Sequence, residues 1–174
     1  MANSDKPVPA IDALAPVILE FGKAVYICQC FESSLCLLLA TMAHERADGE
    51  EGAFVASWDF HSRKPLGRLL SSLREQIEVP AELDKCLDEG IDKRNTIVHG
   101  FLTKNAVRLA DPKERLKIEA ELVQLKKDVK RRDIAVNKLL DTLLKKYGLS
   151  NAILKQNADR LWDFHNPDDP PEHH

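Results

Sequence analysis

The feature that most constrains this fold is the spacing of its apolar residues, which recur every three or four positions through most of the chain. From Ala10 to about Arg46, this spacing predicts one long amphipathic helix. Its predicted inward-facing residues are Leu14, Ile18, Phe21, Val25, Cys28, Leu35, Leu38 and Met42. No window shows the alternating pattern of a convincing β-strand. The sequence therefore predicts an all-α protein.

Prolines and glycines divide the middle of the chain. Residues 47 to about 62 contain two glycines and two exposed-looking aromatics, Trp58 and Phe60, and this composition predicts a loop. Pro65 stands at a first helical turn and predicts a short second helix. Pro80 does the same for a third helix, which we expect over residues 80 to about 103.

The C-terminal part predicts a long helix followed by a short one. Asp111 is a suitable N-cap for a helix of about 36 residues, or about 54 Å, that ends at Gly148. The charged segment 126–133 could instead contain a break. Ser150 predicts the start of a last helix that ends near Trp162. Together these elements predict an up-and-down helical bundle of about four to five helices.

A chain of 174 residues most often forms one domain. We expect a flexible lead-in at residues 1–9, a single bundle domain at 10–163 and a disordered, proline-rich and acidic tail at 164–174. The two histidines at the C-terminus could be native or the remnant of a tag, so they enter no site argument.

The sequence suggests a cytoplasmic protein. Charged residues interrupt the most apolar stretch, so no apolar run approaches the roughly 20 residues of a membrane helix, and the N-terminus lacks the pattern of a signal peptide. Four cysteines fit a reducing compartment, where we expect small buried side chains rather than metal ligands. They are Cys28, Cys30, Cys36 and Cys86.

The net charge of −3 conceals an uneven distribution. Residues 1–100 contain 10 basic and 16 acidic residues, whereas residues 101–147 contain 13 basic and 7 acidic ones. Four cations in the second segment could bind RNA phosphates, although interleaved acids favour a solvated helix face. These cations are Lys126, Lys127, Lys130 and Arg131. Trp58 and Phe60 could similarly stack on a base, although closure over the edge of the core is favoured.

The strongest candidate for chemistry is the segment 93–100, Lys-Arg-Asn-Thr-Ile-Val-His-Gly. Asn95 and His99 share a helix face, and the long stem of Arg94 can span the roughly 140° that separates it from His99. Arginine binds phosphate oxygens and stabilises charge in the transition state, and histidine transfers protons near neutral pH. The segment therefore predicts a phosphodiester site that requires no metal or other cofactor.

The same residues also fit purely structural roles. His99, beside Gly100, could be a core or capping residue. Arg94 could simply pair with a nearby carboxylate, and the candidates are Asp88, Glu89 and Asp92.

The stretch DKRNTIVHGFL resembles the signature helix of HEPN domains, a helical family of prokaryotic toxins, abortive-infection proteins and defence ribonucleases. The family motif is an arginine followed, after four to six residues, by a histidine. Asparagine often follows the arginine directly, as in Arg94-Asn95 here. CFESSLCLLLA resembles the first helix of the family, in which an acidic residue lies in a leucine-rich run, and Glu32 matches that position. KPLGRLLSSL resembles the short helix that often intervenes, so the helix order extends the resemblance over roughly 15–147.

The resemblance implies a metal-independent endoribonuclease that cleaves RNA by attack of the 2′-hydroxyl, in a defence or toxin–antitoxin setting. It implies a homodimer in which Arg94 and His99 of both chains form a composite site, assisted by Asn95 and supported by Glu32. An antitoxin or a defence-complex protein is a possible further partner. Some family toxins carry a modifiable tyrosine where Phe101 stands here, which argues against that mode of silencing. The alternative function is a non-catalytic helical dimer that binds a protein or a nucleotide.

Overall fold

The computed structural model of the chain describes residues 11–50 and 52–146. Of these residues 87% are helical, and none of them lies in a strand. Within these ranges the helices are α1 (Ile11–Arg46), α2 (Ala53–Ser62), α3 (Leu66–Gln76), α4 (Ala81–Val98), α5 (Phe101–Lys104), α6 (Ala106–Leu109) and α7 (Pro112–Lys146). The predicted all-α bundle is confirmed, with five longer helices and the two single turns α5 and α6.

Several predicted features lie outside the described residues. They are the lead-in 1–9, the cap at Gly148, the last helix from Ser150 to about Trp162, and the tail 164–174.

The chain forms two compact units, and each of them combines two segments of the sequence. In the described part, the first unit contains residues 11–33 and 77–135. The second unit contains residues 34–76, without residue 51, and 136–146. The long helices α1 and α7 therefore contribute to both units. The boundaries of the single domain at 10–163 stay a prediction.

In the first unit, α1 and α7 run in the same direction. Arg115 of α7 donates a hydrogen bond to the carbonyl oxygen of Ala13 in α1 at 3.4 Å. Farther along both helices, Lys126 pairs with Glu20 at 2.6 Å. α7 is continuous through its charged middle, so the break considered there is absent.

Helix α4 runs antiparallel to α7 in the same unit. Arg132 of α7 pairs with Glu89 of α4 at 2.6 Å. Thr96, which comes later in α4, lines a common groove with Gln124, which comes earlier in α7. The helices of this unit therefore have the expected up-and-down arrangement.

The close approach of α4 to its neighbours depends on Gly90. A Cβ atom at this position would lie 3.0 Å from Phe31 Cζ of α1 and 3.0 Å from Arg132 Cγ of α7. The buried apolar side chains of this unit are Val17, Ala24, Cys28, Phe31, Leu87, Ile97, Phe101, Ile118, Leu122 and Val129. Burial of each large side chain stabilises the fold by about 1.5–3 kcal/mol, so this core fixes the position of α4.

In the second unit, the loop predicted at residues 47–62 is wrong for most of its length, because Ala53–Ser62 form α2. Among the described residues of this range, 47–50 and Gly52 lie outside a helix, and Gly49 and Gly52 have positive φ angles of 79° and 96°. The following residues form α2, because Phe54 and Trp58 lie one turn apart and pack in one cluster with Ala40 of α1. The buried apolar residues of this unit are Leu35, Cys36, Leu38, Leu39, Ala40, Met42, Phe54, Leu66, Leu69, Leu70, Leu73, Val136 and Leu140.

Two apolar residues that contribute to the predicted helical spacing of α1 and α7 are exposed. Ile18 of α1 is 42% exposed and Leu116 of α7 is 70% exposed, whereas Val17 and Ile118 are buried instead. Each buried residue lies one or two positions from the predicted one. Both helices have apolar residues on more than one face, so spacing alone did not identify the packed face.

The surface of α1 remains partly apolar. Its large exposed apolar side chains are Ile11, Ile18, Leu19 and Tyr26. The helix also contains an 18-residue window with a mean hydropathy of 1.5. By length and composition it could cross a membrane, which corrects the expectation that no apolar run approaches this length. Half of the window is buried inside the protein, and the core helix of a soluble protein has the same composition.

Candidate functional site

The candidate site lies at the C-terminal end of α4. The helix ends at Val98, and His99 is its C-cap residue, whose N–H donates to the carbonyl oxygen of Asn95 at 3.0 Å. Gly100 follows with a φ of 148°, a conformation that residues with a side chain rarely adopt. The third helix was predicted to continue to about residue 103, and this end is wrong because the helix stops before Gly100. His99 is exposed at this break, so it is not a core residue.

Arg94 lies on the side of α4 that faces α1. Its Nε donates to Glu32 Oε1 of α1 at 2.5 Å. The side chains are 18% and 30% exposed, so the ion pair is partly shielded from water. The alternative of an ion pair with a carboxylate thus holds for Arg94, with Glu32 as the partner, and Glu89, one of the carboxylates considered, pairs with Arg132. The ion pair therefore connects the polar segment of α4 to α1.

The other end of the same guanidinium contacts the remaining predicted site residues. Arg94 Nη1 lies 2.7 Å from His99 Nε2 and 3.2 Å from Asn95 Oδ1. A guanidinium can only donate hydrogen bonds, so Nε2 must accept one, and this geometry requires a neutral imidazole with its proton on Nδ1. All four residues predicted for the catalytic site, including Glu32, are thus brought together around one guanidinium.

The thiol of Cys28 lies one helical turn before Glu32, on the buried side of α1. Burial raises the pKa of this thiol to about 11, with a smaller opposing effect of Arg94 and a reinforcing effect of Glu32. Cys28 therefore stays protonated near neutral pH, as expected for a small buried side chain. No group of three or more potential metal-ligating residues occurs in the part of the chain that the structure describes.

Of the four basic residues of α7 that were predicted to bind RNA, one is mostly buried and paired with a carboxylate, and three are exposed. Lys126 is engaged, because it pairs with Glu20 and its side chain is only 23% exposed. Together with Lys23, it holds the pKa of the Glu20 carboxyl below its ordinary value. The other three cations predicted to bind RNA are exposed, and one of them lies 3.7 Å from the carboxylate of Asp128. They are Lys127, Lys130 and Arg131.

The two aromatics predicted to stack on a base or close the core lie on α2 and differ from each other. Trp58 is partly buried and packs against the cluster of Ala40 and Phe54, as the core interpretation requires. Phe60 is 57% exposed, and Lys64 Nζ lies 4.3 Å above its ring. Only Phe60 is therefore accessible to a ligand.

Sequence reasoning did not find a groove between α4, α5 and α7, which we name the α4–α7 groove. It has a volume of about 420 Å³. The residues that define it are Lys93, Thr96, Phe101, Lys104, Gln124 and Leu125. Lys93 directly precedes the predicted motif, but the sequence did not indicate that α7 would meet it here. Phe101 directly follows the helix break at Gly100 and lines the groove together with Gln124 and Leu125 of α7.

No protein-family model, curated protein sequence or solved structure matches the chain. The resemblance to the HEPN signature helix therefore depends on the sequence motif at residues 94–99 and on the helix order alone.

Proposed function

We propose that this protein is a HEPN-like endoribonuclease that cleaves RNA by attack of the 2′-hydroxyl, without a metal ion. The observation that supports this most directly is the position of the Arg94 guanidinium, which contacts Glu32, Asn95 and His99 at once. Arg94 and His99 are the two kinds of group that phosphodiester cleavage needs, a phosphate-binding cation and a proton-transfer group. His99 is exposed at the helix end and Arg94 Nη1 lies 2.7 Å from it, so a polymer that reaches His99 also meets the guanidinium.

Binding of substrate would change the contacts of Arg94. In the resting arrangement Arg94 occupies the lone pair of His99 Nε2, so the imidazole cannot accept a proton there. A phosphate that draws the guanidinium to its own oxygens releases this lone pair. Glu32 keeps its contact with Nε and so retains the arginine near α4. Arg94 then binds the phosphate, and His99 acts as the general base. Asn95 orients the side chains of Arg94 and His99.

The chemical step is a transfer within the RNA. His99 Nε2 accepts the proton of the 2′-hydroxyl, and the 2′-oxygen attacks phosphorus. The bond from phosphorus to the 5′-oxygen breaks, and the His99 imidazole of a second copy of the chain, in its protonated form, donates a proton to that oxygen. The products end in a 2′,3′-cyclic phosphate and a 5′-hydroxyl. The Arg94 guanidinium stabilises the additional negative charge on the phosphoryl oxygens in the transition state.

A second copy of the chain would complete the site. Acid and base act on opposite sides of the reacting phosphorus, and α4 of one chain offers a single imidazole there. In one chain the charge of Arg94 is also offset by Glu32. A homodimer with two copies of α4 across a two-fold axis supplies two imidazoles and two guanidinium groups. An antitoxin or defence-complex protein would be a further partner in the cytoplasm.

The test compares the wild type with His99→Ala on single-stranded RNA. Loss of general acid–base catalysis costs roughly 10²–10⁴-fold in rate, so cleavage should nearly vanish while RNA affinity persists. Arg94→Lys should lower both, because a lysine cannot reproduce the planar fork of donors. His44→Ala is the matched control, because it removes an imidazole from the second unit.

The readouts are gel analysis of cleavage, mass spectrometry for the cyclic phosphate, circular dichroism for the fold and light scattering for the dimer. Equal cleavage by the wild type and His99→Ala would refute the catalytic role. A monomer throughout the micromolar range would refute the composite site.

One observation favours the alternative, a non-catalytic dimer that binds a protein or nucleotide. Both functional groups are already engaged in the resting structure, Arg94 by Glu32 and His99 by Arg94. The same experiment distinguishes this function, because RNA or nucleotide binding without cleavage by the wild type would support it.

A further inference from the structure

The α4–α7 groove combines an apolar floor with polar side chains. Phe101 is only 5% exposed, so its ring belongs to a fixed core surface, and Leu125 is half-buried beside it. Gln124 donates one amide N–H to Asp128 Oδ1 at 3.1 Å, which uses one of the four hydrogen-bonding positions that its amide offers. The volume of about 420 Å³ is in the range of small-molecule sites.

Two lysines flank this floor. Lys93 of α4 and Lys104 of α5 form no ion pair with any residue that the structure describes. Several other cations of this unit are bound to carboxylates, as Arg94 is to Glu32 and Lys126 to Glu20. The two lysines therefore remain available for an anionic ligand.

The carboxylates on the α7 side of the groove are already neutralised. Glu121 accepts from Arg108 Nη2 at 2.8 Å, and Asp128 lies 3.8 Å from Arg132 Nη1. The lysines thus determine the charge that the groove offers to a ligand. A flat, apolar ligand with hydrogen-bonding edges and an attached negative charge fits this combination, and a nucleotide has all of these properties.

The groove adjoins the candidate catalytic site. Thr96 lines the groove and lies three positions before His99, so their Cβ atoms are about 5–6 Å apart on neighbouring parts of the α4 surface. A nucleotide whose phosphate reaches His99 can therefore place its base beyond Thr96. Single-stranded RNA permits this, because its bases can turn out of the stack.

We infer that the α4–α7 groove is a nucleobase subsite for single-stranded RNA. It holds the base next to the cleaved phosphodiester on the floor of Phe101 and Leu125, and Lys93 and Lys104 bind the adjoining phosphates. Gln124 contacts the edge of the base and so influences which base is accepted. The inference rests on the proposed function, because it takes RNA as the ligand.

The test measures binding of a fluorescein-labelled single-stranded oligoribonucleotide to His99→Ala by anisotropy. The groove variant adds Lys93→Gln and Lys104→Gln. The matched control adds Lys85→Gln and Lys113→Gln, which remove the same charge from exposed positions outside the groove. A single-strand contact contributes about 0.7 to the slope of log affinity against log salt. Loss of two contacts should reduce the magnitude of this slope by about 1.4. A fourfold rise in salt should therefore weaken RNA binding by the groove variant about sevenfold less than RNA binding by its parent.

A second variant tests the base itself. Gln124→Trp fills the groove from an exposed position without changing charge. An abasic residue in the oligonucleotide should weaken binding to His99→Ala and should have no effect once Gln124→Trp is present. Equal slopes for the lysine variant and its control, or an abasic effect that persists with Gln124→Trp, would overturn the subsite.

These outcomes are separable from those for the proposed function. If the wild type cleaves RNA but the groove variants bind RNA as their controls do, the subsite is refuted and the ribonuclease function stands. If RNA binding depends on the groove but the wild type does not cleave RNA, the subsite stands and the ribonuclease function is refuted. Absence of RNA binding altogether would overturn both.

Discussion

Replacing Gly90 with alanine adds one methyl group where α4 approaches both of its neighbours in the first unit. The new Cβ would lie 3.0 Å from Phe31 Cζ, 3.1 Å from Phe31 Cε1 and 3.0 Å from Arg132 Cγ. Phe31 is fully buried, and Arg132 is held by Glu89 at 2.6 Å. Neither side chain can therefore move away freely.

Two opposing effects determine the magnitude. Extra volume in a packed core typically costs about 1–3 kcal/mol, whereas glycine to alanine within a helix contributes about 1 kcal/mol of stability. Gly90→Ala should therefore change the free energy of unfolding by about 0 to −2 kcal/mol. Gly22 in α1 is the matched control, because a Cβ there meets nothing within 4 Å. Gly22→Ala should stabilise the protein by about 0.5–1 kcal/mol.

The two variants should differ by about 2 kcal/mol, which corresponds to roughly 4–8 °C in Tm for a chain of this size. Urea unfolding followed by circular dichroism measures this difference directly. Equal stabilisation of both variants would refute the reasoning, because it would mean that α4 does not approach Phe31 and Arg132 as closely as described. If Gly90→Ala is destabilised as expected, RNA-cleavage assays of this variant test whether displacement of α4 affects Arg94, one turn farther along.

Two further predictions concern ionisable groups. Because burial raises the pKa of Cys28 to about 11, iodoacetamide at about pH 8 should modify the half-buried Cys30 and Cys86 much faster than Cys28, as peptide mass spectrometry would show. Equal labelling would contradict this. Lys126 and Lys23 hold the pKa of Glu20 below its ordinary value of 4.5. The charged carboxylate of Glu20 therefore stabilises the fold above pH 4.5, and this stabilisation is lost as the pH falls through the lower pKa of the folded protein. Thermal unfolding should show Glu20→Gln to be less stable than wild type near neutral pH and equal to it once the pH falls below the lowered pKa of Glu20 in the folded protein. A difference that is constant with pH would argue against the ion pairs.

Helices with a regular apolar face and a clear start could be predicted from the sequence. Pro112 opens α7, and Leu66 follows the proline expected to open α3. Helix α2 was missed because its apolar residues lie on several sides and so have no helical period. It forms because Phe54 and Trp58 pack against Ala40, and that tertiary contact is invisible in a local pattern.

The end of α4 was missed for a different reason. Val98 and Leu102 continue the helical spacing across Gly100, so periodicity extended the helix past a residue whose backbone ends it. The polar segment itself was recognised, and its arginine and histidine were expected to meet. The contact of Arg94 with Glu32 joins residues 62 positions apart. Only the family resemblance pointed to Glu32, because a local pattern carries no information on such a distance.

The pairing of α1 with α7 in the first unit has a consequence for synthesis on the ribosome. Glu20 and its partner Lys126 are 106 residues apart in the chain. Translation proceeds at about 5–20 residues per second, so Glu20 is made roughly 5–20 s before its partner. During this interval α1, with its apolar window, is without the helix that covers it. The nascent chain therefore exposes the apolar window of α1 during this interval, and the first unit can complete its packing only after α7 has been made.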